Sequence, residues 1–349
     1  MNRFLPLFLL LLSALCILAG CGSKPSPSPT TPGGVVTAGG SPVGLPDDTA
    51  APFYDPEHYV VIRTAEDLMA FGRAVNRDGY SFADMTVVFL NDIDMGGYTW
   101  EPLDGACLTG VTFDGRGHTV SRLRLADYEY PPDTLLTDKE KGCGLVGVAT
   151  GSITFRDLTL AYTTVKAYDH SVGNFVGAVQ GGRVDFTNCA SVGFTADGWM
   201  DWFSRDPALG GHAIAMRLGG FVGYLGDGGE ASFRDCTVED LTLSGFHNLA
   251  AFVGYDGSGR LDAACFTGCR VDRAHLTFSY CLAENYTADQ PKKFVSVFVN
   301  SRDWRDTIAA CTAAGNMYTD VYFYDWAADG AVYTPDSFRS HPEKEADPS

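Results

Sequence analysis

Apolar positions in this chain recur in two linked clusters. The first is an apolar-Val-Gly unit: Leu145-Val146-Gly147, Phe175-Val176-Gly177, Phe221-Val222-Gly223 and Phe252-Val253-Gly254, with Phe298-Val299-Asn300 as a decayed copy. A second cluster follows each: Phe155-Arg156-Asp157-Leu158, Phe186-Thr187-Asn188-Cys189, Phe233-Arg234-Asp235-Cys236, Phe266-Thr267-Gly268-Cys269 and Ile308-Ala309-Ala310-Cys311. In every second cluster an aromatic residue or Ile stands three positions before Leu or Cys. The segments are short, β-branched and aromatic, with Gly, Asn and Asp between them, which predicts strands and turns. Copies follow one another at roughly 30 residues, or roughly 45 where a segment is inserted, which is the spacing of a repeat architecture. A unit with two or three short strands cannot bury its own apolar face. Stacking successive units in register buries a common core and pairs each backbone group with the coil above and below. The expected fold is therefore all-β, a parallel β-helix solenoid. Propeller blades are of similar length but need four hairpin-linked strands, and two-residue hairpin turns are scarce here.

The ends differ in texture. Thr64-Ala65-Glu66-Asp67 reads as a helix start, and Leu68, Phe71 and Val75 follow at helical spacing, so a short N-terminal capping helix is predicted over Ala65 to Asn76. Laid over the first coil, it would cover an open strand edge. The aromatic-rich Tyr318 to Trp326 is expected to serve the other end. The folded domain is assigned to residues 53–336, and residues 337–349 to a disordered tail.

Thr64-Ala65-Glu66-Asp67-Leu68, Ala74-Val75-Asn76, Leu90-Asn91-Asp92-Ile93-Asp94-Met95, Trp100-Glu101-Pro102-Leu103 and Phe113-Asp114-Gly115-Arg116-Gly117-His118-Thr119-Val120 occur in that order. Followed by Gly-Leu-Val-Gly and Gly-Phe-Val-Gly units, they resemble the bacterial surface proteins that carry GLUG motifs. The resemblance implies a right-handed parallel β-helix of pectin-lyase-like architecture, displayed on a cell surface, often in adhesin-like contexts. It brings no catalytic residues with it.

Ahead of the repeats, Phe4 to Leu18 is an apolar run behind Arg3, and Leu18-Ala19-Gly20-Cys21 has the pattern of a lipobox. Residues 1–20 read as a lipoprotein signal peptide. A lipid on Cys21 would hold the chain to a membrane without a transmembrane helix. Residues 21–52 are built largely of Pro, Ser, Thr, Gly and Val, a composition too poor in large apolar groups to offset chain entropy, so a disordered tether is expected. The chain is then a lipid-anchored protein on the bacterial cell surface, facing outside. Its net charge of −18 repels phosphate backbones, which excludes nucleic acid as a partner class.

Candidate chemistry is sparse. His118 has no second acid, base or nucleophile placed to work with it and sits in a glycine-bounded corner, so a structural role is expected. Asn91, Asp92 and Asp94 lack the loop-closing Gly and distal Glu of a calcium loop and read as turn or strand-end residues. No metal, cofactor or catalytic constellation is predicted. Cys189, Cys236, Cys269 and Cys311 share the repeat position of Leu158, which predicts a stack of core thiols. Disulfides stay open in an oxidising compartment, with Cys143 and Cys281 the better placed for bridging because they adjoin irregular insertions.

Three insertions break the repeat, at about Ala126 to Gly142, Ala196 to Arg217 and Ser279 to Lys293, and a stacked solenoid would project them along one side. The middle one carries Trp199, Trp202 and Phe203 beside Asp197 and Asp201. These five residues are the candidate ligand-binding set; the rings would either form a platform or pack on the outside of the coils. Two functions compete: a non-catalytic, adhesin-like protein that binds a host or environmental glycan or protein, and a polysaccharide lyase or glycoside hydrolase. The enzymes need clustered carboxylates on adjacent coils. Asp157 and Asp235 share a repeat position, but Asn188, Gly268 and Ala310 replace them in other copies, which suits a turn.

Lipid attachment requires the Cys21 sulfur. Cys21→Ser is expected to move the protein out of the detergent phase in phase partitioning; unchanged partitioning would refute the anchor.

Overall fold

The computed structural model describes residues 54–55, 59–78, 80–125, 142–166, 171–198, 217–245, 248–278, 295–300, 304–325 and 331–340. Cys21 and residues 22–53 lie outside the described residues, as do residues 341–349.

The chain folds as a parallel β-helix. Each coil contributes once to the same stacked parallel sheets, in sequence order. A Phe-bearing sheet runs Tyr59–Ile62, Thr86–Phe89, Val111–Asp114, Ser152–Arg156, Arg183–Thr187, Glu230–Arg234 and Phe266–Thr267, all parallel. From it the chain turns into a bent sheet of two limbs, such as Thr159–Ala161 and Thr164–Lys166, or Ala190–Val192 and Thr195–Asp197. In later coils one long strand spans both limbs: Thr237–Ser244, Arg270–Phe278 and Met317–Asp325. A third sheet stacks Gly142–Cys143, Ser171–Gly173, Arg217–Gly219, Leu249–Ala250 and Val295–Ser296. A fourth, of Val146–Ala149, Val176–Val179, Val222–Leu225 and Val253–Asp256, leads back to the Phe sheet.

Register places like on like. Phe113, Phe155, Phe186, Phe233 and Phe266 are successive ladder partners, and their rings stack at 5.0 Å between centroids. That distance is close to the spacing of paired strands, so the backbone sets the ring separation. A second column, Phe175, Phe221, Phe252 and Phe298, comes from the apolar-Val-Gly units and stacks at 4.8, 5.0 and 6.0 Å. The columns meet edge to face; Phe186, for example, contacts Phe175 at 5.4 Å and Phe221 at 5.2 Å. Stacked and edge-to-face pairs are the favourable arrangements of aromatic quadrupoles.

Glycine in the apolar-Val-Gly unit is required by close approach of the third and fourth sheets. A Cβ on Gly177 would sit 2.1 Å from the Cys143 amide nitrogen, and one on Gly173 2.2 Å from the Val176 carbonyl oxygen. The turn after each Phe strand is held by a left-handed residue: Asp157, Asn188, Asp235 and Gly268, with φ of 51°, 51°, 53° and 65°. Asp157 and Asp235 therefore serve a turn, as expected from their repeat position, and Asn188 Nδ2 donates to Asp157 Oδ1 at 2.7 Å along the stack.

Helix α1 spans Ala65–Asn76, as the spacing predicts, and Thr64 caps it by accepting from the Asp67 amide at 3.2 Å. It buries Leu68, Phe71 and Val75, and Phe71 meets Phe82 and Phe113 edge to face. It closes the end of the core, whereas the strand edge of Tyr59–Ile62 is paired by Tyr54–Asp55, antiparallel. At the other end the expectation needs correction. Ile308 to Cys311 is not a fifth Phe-sheet strand but part of helix α2, Trp304–Ala313. The left-handed turn position would have fallen on Ala310, which lacks the freedom of Gly and the local hydrogen bonding of Asn or Asp, while an Ala-rich run favours helix. Ile308 and Cys311 stay buried because three residues also separate positions on one helix face. Tyr318 and its neighbours do not lie across the end as a cap; Met317–Asp325 continues the bent sheet and is then paired antiparallel by Ala331–Tyr333, before helix α3, Pro335–Ser340.

Phe186 stands in the middle of its column and against two rings of the other. Phe186→Ala is expected to lower unfolding stability by about 3–5 kcal/mol in urea titration; a loss below about 1 kcal/mol would mean that the columns do not hold the coils.

Candidate functional site

All three insertions leave and re-enter the stack at one corner, between the second limb of the bent sheet and the third sheet. The chain leaves at Leu125, Asp197 and Phe278 and returns at Gly142, Arg217 and Val295. Two intervening coils cross the same corner between Lys166 and Ser171 and between Ser244 and Leu249. Taken in order along the stack, the crossings hold 16, 4, 19, 4 and 16 residues. Long and short crossings thus alternate.

Of the candidate binding residues, Asp197 ends the strand Thr195–Asp197, half-buried, in register with Lys166 on one side and Ser244 on the other. Trp199, Asp201, Trp202 and Phe203 lie outside the described residues. On the return side, Arg217 stacks its guanidinium over the Tyr224 ring, 3.9 Å from the centroid, and Tyr224 stacks on Tyr255 at 6.1 Å. On the departure side, the outward positions of the second limb align Arg124, Thr164, Thr195, Thr242, His275 and Tyr322 as successive partners. That column was not anticipated. Its members are separated by whole coils in the chain, and only the register brings them together.

Several carboxylates on the outer faces are matched with arginines. Arg156 Nη2 donates to Asp114 Oδ2 at 2.7 Å; Glu230 sits between Arg183 and Arg260, at 3.3 and 2.7 Å. Arg273 pairs with Asp240, Glu239 and Asp272. Partial burial tends to raise the Asp185 carboxyl, but donation from Arg183 and Ser232 holds it below its ordinary value. Asp240 is lowered by Arg273, and Asp94 by Arg122 and the Gly96 amide. A glycosidase acid needs the opposite shift.

His118 Nδ1 is 3.2 Å from Asp92 Oδ1, and Asp92 also accepts from the Thr119 amide at 2.9 Å. Asn91 Nδ2 donates to the Arg63 carbonyl at 3.1 Å. These groups tie one coil to the next, which is the turn and strand-end use expected for them. Among the described residues no group of three or more His, Cys, Asp and Glu side chains is arranged to hold a metal ion.

Cys189, Cys236, Cys269 and Cys311 stack in the core behind Leu158, each no more than 1% exposed. Cys143, expected as a bridging candidate, is a buried free thiol, and Cys281 lies outside the described residues. Cys143 faces the interior from the third sheet. Burial pushes the Cys143, Cys269 and Cys311 thiols up to about 12. Cys236 is raised by its contact with Cys189 and then by burial.

No family model matches this sequence, and no curated protein matches it. Among solved structures, a Bacteroides ovatus protein provisionally described as an immunoglobulin A1 protease is similar over 80% of this chain and 80% of its own, with 14% identity and a TM-score of 0.38.

Native treatment with a bulky maleimide at neutral pH is expected to leave Cys189, Cys236 and Cys269 unmodified while the half-buried Cys265 reacts; rapid modification of the three would refute the core column. The fold prefers the Cys143, Cys269 and Cys311 thiols neutral, so their contribution is whole below the unfolded thiol value of about 8.5 and is lost as pH rises toward about 12.

Proposed function

We propose that this chain is a non-catalytic binding protein, displayed on a bacterial surface by a lipid on Cys21 in the manner of the GLUG-motif proteins it resembles. The observation that carries the binding reading is the alternation of long and short crossings at a single corner. Core packing does not require it: a coil closes with the 4 residues that join Lys166–Ser171 and Ser244–Leu249. The extra length in the other three coils begins and ends at that corner, which would let it meet one ligand together. Loops on a rigid scaffold are the usual carriers of recognition.

Arginines hold the Asp94, Asp185 and Asp240 carboxyls below their ordinary value, which suits ion pairing between coils rather than the raised carboxyl of a general acid. The middle crossing contributes Trp199 and Trp202, whose rings suit sugar faces or apolar peptide side chains.

The Trp199→Ala, Trp202→Ala double variant is expected to lose binding to cells or arrayed glycans while its thermal transition stays within about a degree of the parent. A drop of several degrees with binding retained would make the tryptophans outer packing. Release of new reducing ends from a polysaccharide by the parent protein would replace this reading with the enzymatic one.

A further inference from the structure

We propose that the outer face of the second limb is itself a binding strip for a neutral, extended, β-1,4-linked polysaccharide lying along the stack. The strip adjoins the corner that carries the insertions but contains none of their residues. It rests on the binding role given above only in that it takes the ligand to be a polymer.

Thr164, Thr195 and Thr242 are exposed ladder partners, so three hydroxyls repeat along the axis at the coil rise of about 4.8 Å. The column ends in His275, Tyr322 and Tyr324, where the imidazole meets the two phenol rings edge to face at 5.8 and 5.7 Å. An extended β-1,4-linked pyranose chain advances by a similar length per sugar, so each coil would face one ring. Thr164, Thr195 and Thr242 are uncharged and the chain's net charge is −18, which favours a neutral polymer over an acidic one even with the exposed Arg124 at the head of the column.

Tyr162, two residues before Thr164, is the second observation. It occupies the bend between the limbs, where Arg122, Gly193, Asp240 and Arg273 hold the same left-handed conformation in other coils. Tyr162 has φ of 56°, a conformation unfavourable for a bulky residue, yet its side chain is 61% exposed. The ring lies across Gly193 of the next coil: a Cβ there would come within 2.6 Å of Tyr162 Cδ1. Glycine thus makes room for a ring that buries little and leaves an aromatic surface to solvent beside the hydroxyl column. Thr–Thr pairing on a pleated surface accounts for the threonines alone; it does not account for an exposed tyrosine in a left-handed bend. Aromatic faces stack on the C–H faces of sugars, and hydroxyls at fixed spacing select their orientation.

The experiment is calorimetric titration of the purified full chain with cellohexaose, the N-acetylglucosamine hexamer and hexagalacturonate. At least one neutral hexamer is expected to bind, roughly tenfold or more above the acidic one. Tyr162→Asn keeps a residue tolerant of the left-handed bend and should weaken binding roughly tenfold with an unchanged thermal transition. Thr195→Val, isosteric without the hydroxyl, should weaken it roughly three- to tenfold. The proposal is overturned if neither neutral hexamer binds, if hexagalacturonate binds as well as they do, or if both variants bind as the parent does. Loss of cell binding in the double tryptophan variant together with full binding by Tyr162→Asn would also overturn it while sustaining the insertions as the contact. Loss of hexamer binding on Tyr162→Asn alone, with the tryptophans dispensable, would support the strip and refute the tryptophan platform.

Discussion

Ring-on-ring stacking at the coil repeat is the constraint on which the rest of this structure depends. Parallel strands place identical positions at a separation that falls within the centroid range of offset-stacked aromatic rings, about 4.5–7 Å, so a Phe in every coil satisfies backbone pairing and ring stacking together. Here it happens twice, on opposing walls, and the two columns interlock edge to face. The interlocking fixes rotation of one coil over the next as well as its height. Glycines on the third and fourth sheets answer a separate demand, the close approach of those two sheets to each other.

A core specified so fully from inside leaves the outside free to vary. Left-handed residues at two bends, the ion pairs of Arg183, Arg260 and Arg273, and side-chain bonds such as Asn188 to Asp157 join coil to coil without entering the core. Among the described residues the corner between the bent sheet and the third sheet carries no ring column, and it is there that the connecting segments lengthen. On the proposed reading, stability and recognition fall on different walls of the same coil, so that residues such as Thr195 or Tyr162 would meet a ligand at small cost to the fold.

Much of this was legible in the sequence. The Phe–Val–Gly and Phe-x-x-Cys clusters give the coils and their order because packing requires the same residue type at each recurrence. Thr64 and the Leu68, Phe71, Val75 spacing give α1 to the residue. Ile308 to Cys311 misled because a three-residue interval fits both a strand followed by a left-handed turn and one face of a helix; Ala310, where the other copies have Asp, Asn or Gly, was the discriminating residue. The tyrosine and threonine face was not legible, since its members gain meaning only from inter-coil register. Asp197, read from the sequence as part of the middle insertion, instead ends a strand in register with Lys166 and Ser244, and the aromatic residues that follow it lie outside the described residues.

The central claim is that stacked rings couple one coil to the next, and a double-mutant cycle tests it most directly. Phe186→Leu, Phe233→Leu and the double variant would be unfolded in urea beside the parent chain. Stacked partners are expected to show a coupling of about 1 kcal/mol between Phe186 and Phe233, falling toward zero for Phe186 and Phe266, two coils apart. Additive losses at Phe186 and Phe233 would contradict the account, since the phenylalanines would then fill space without joining the coils.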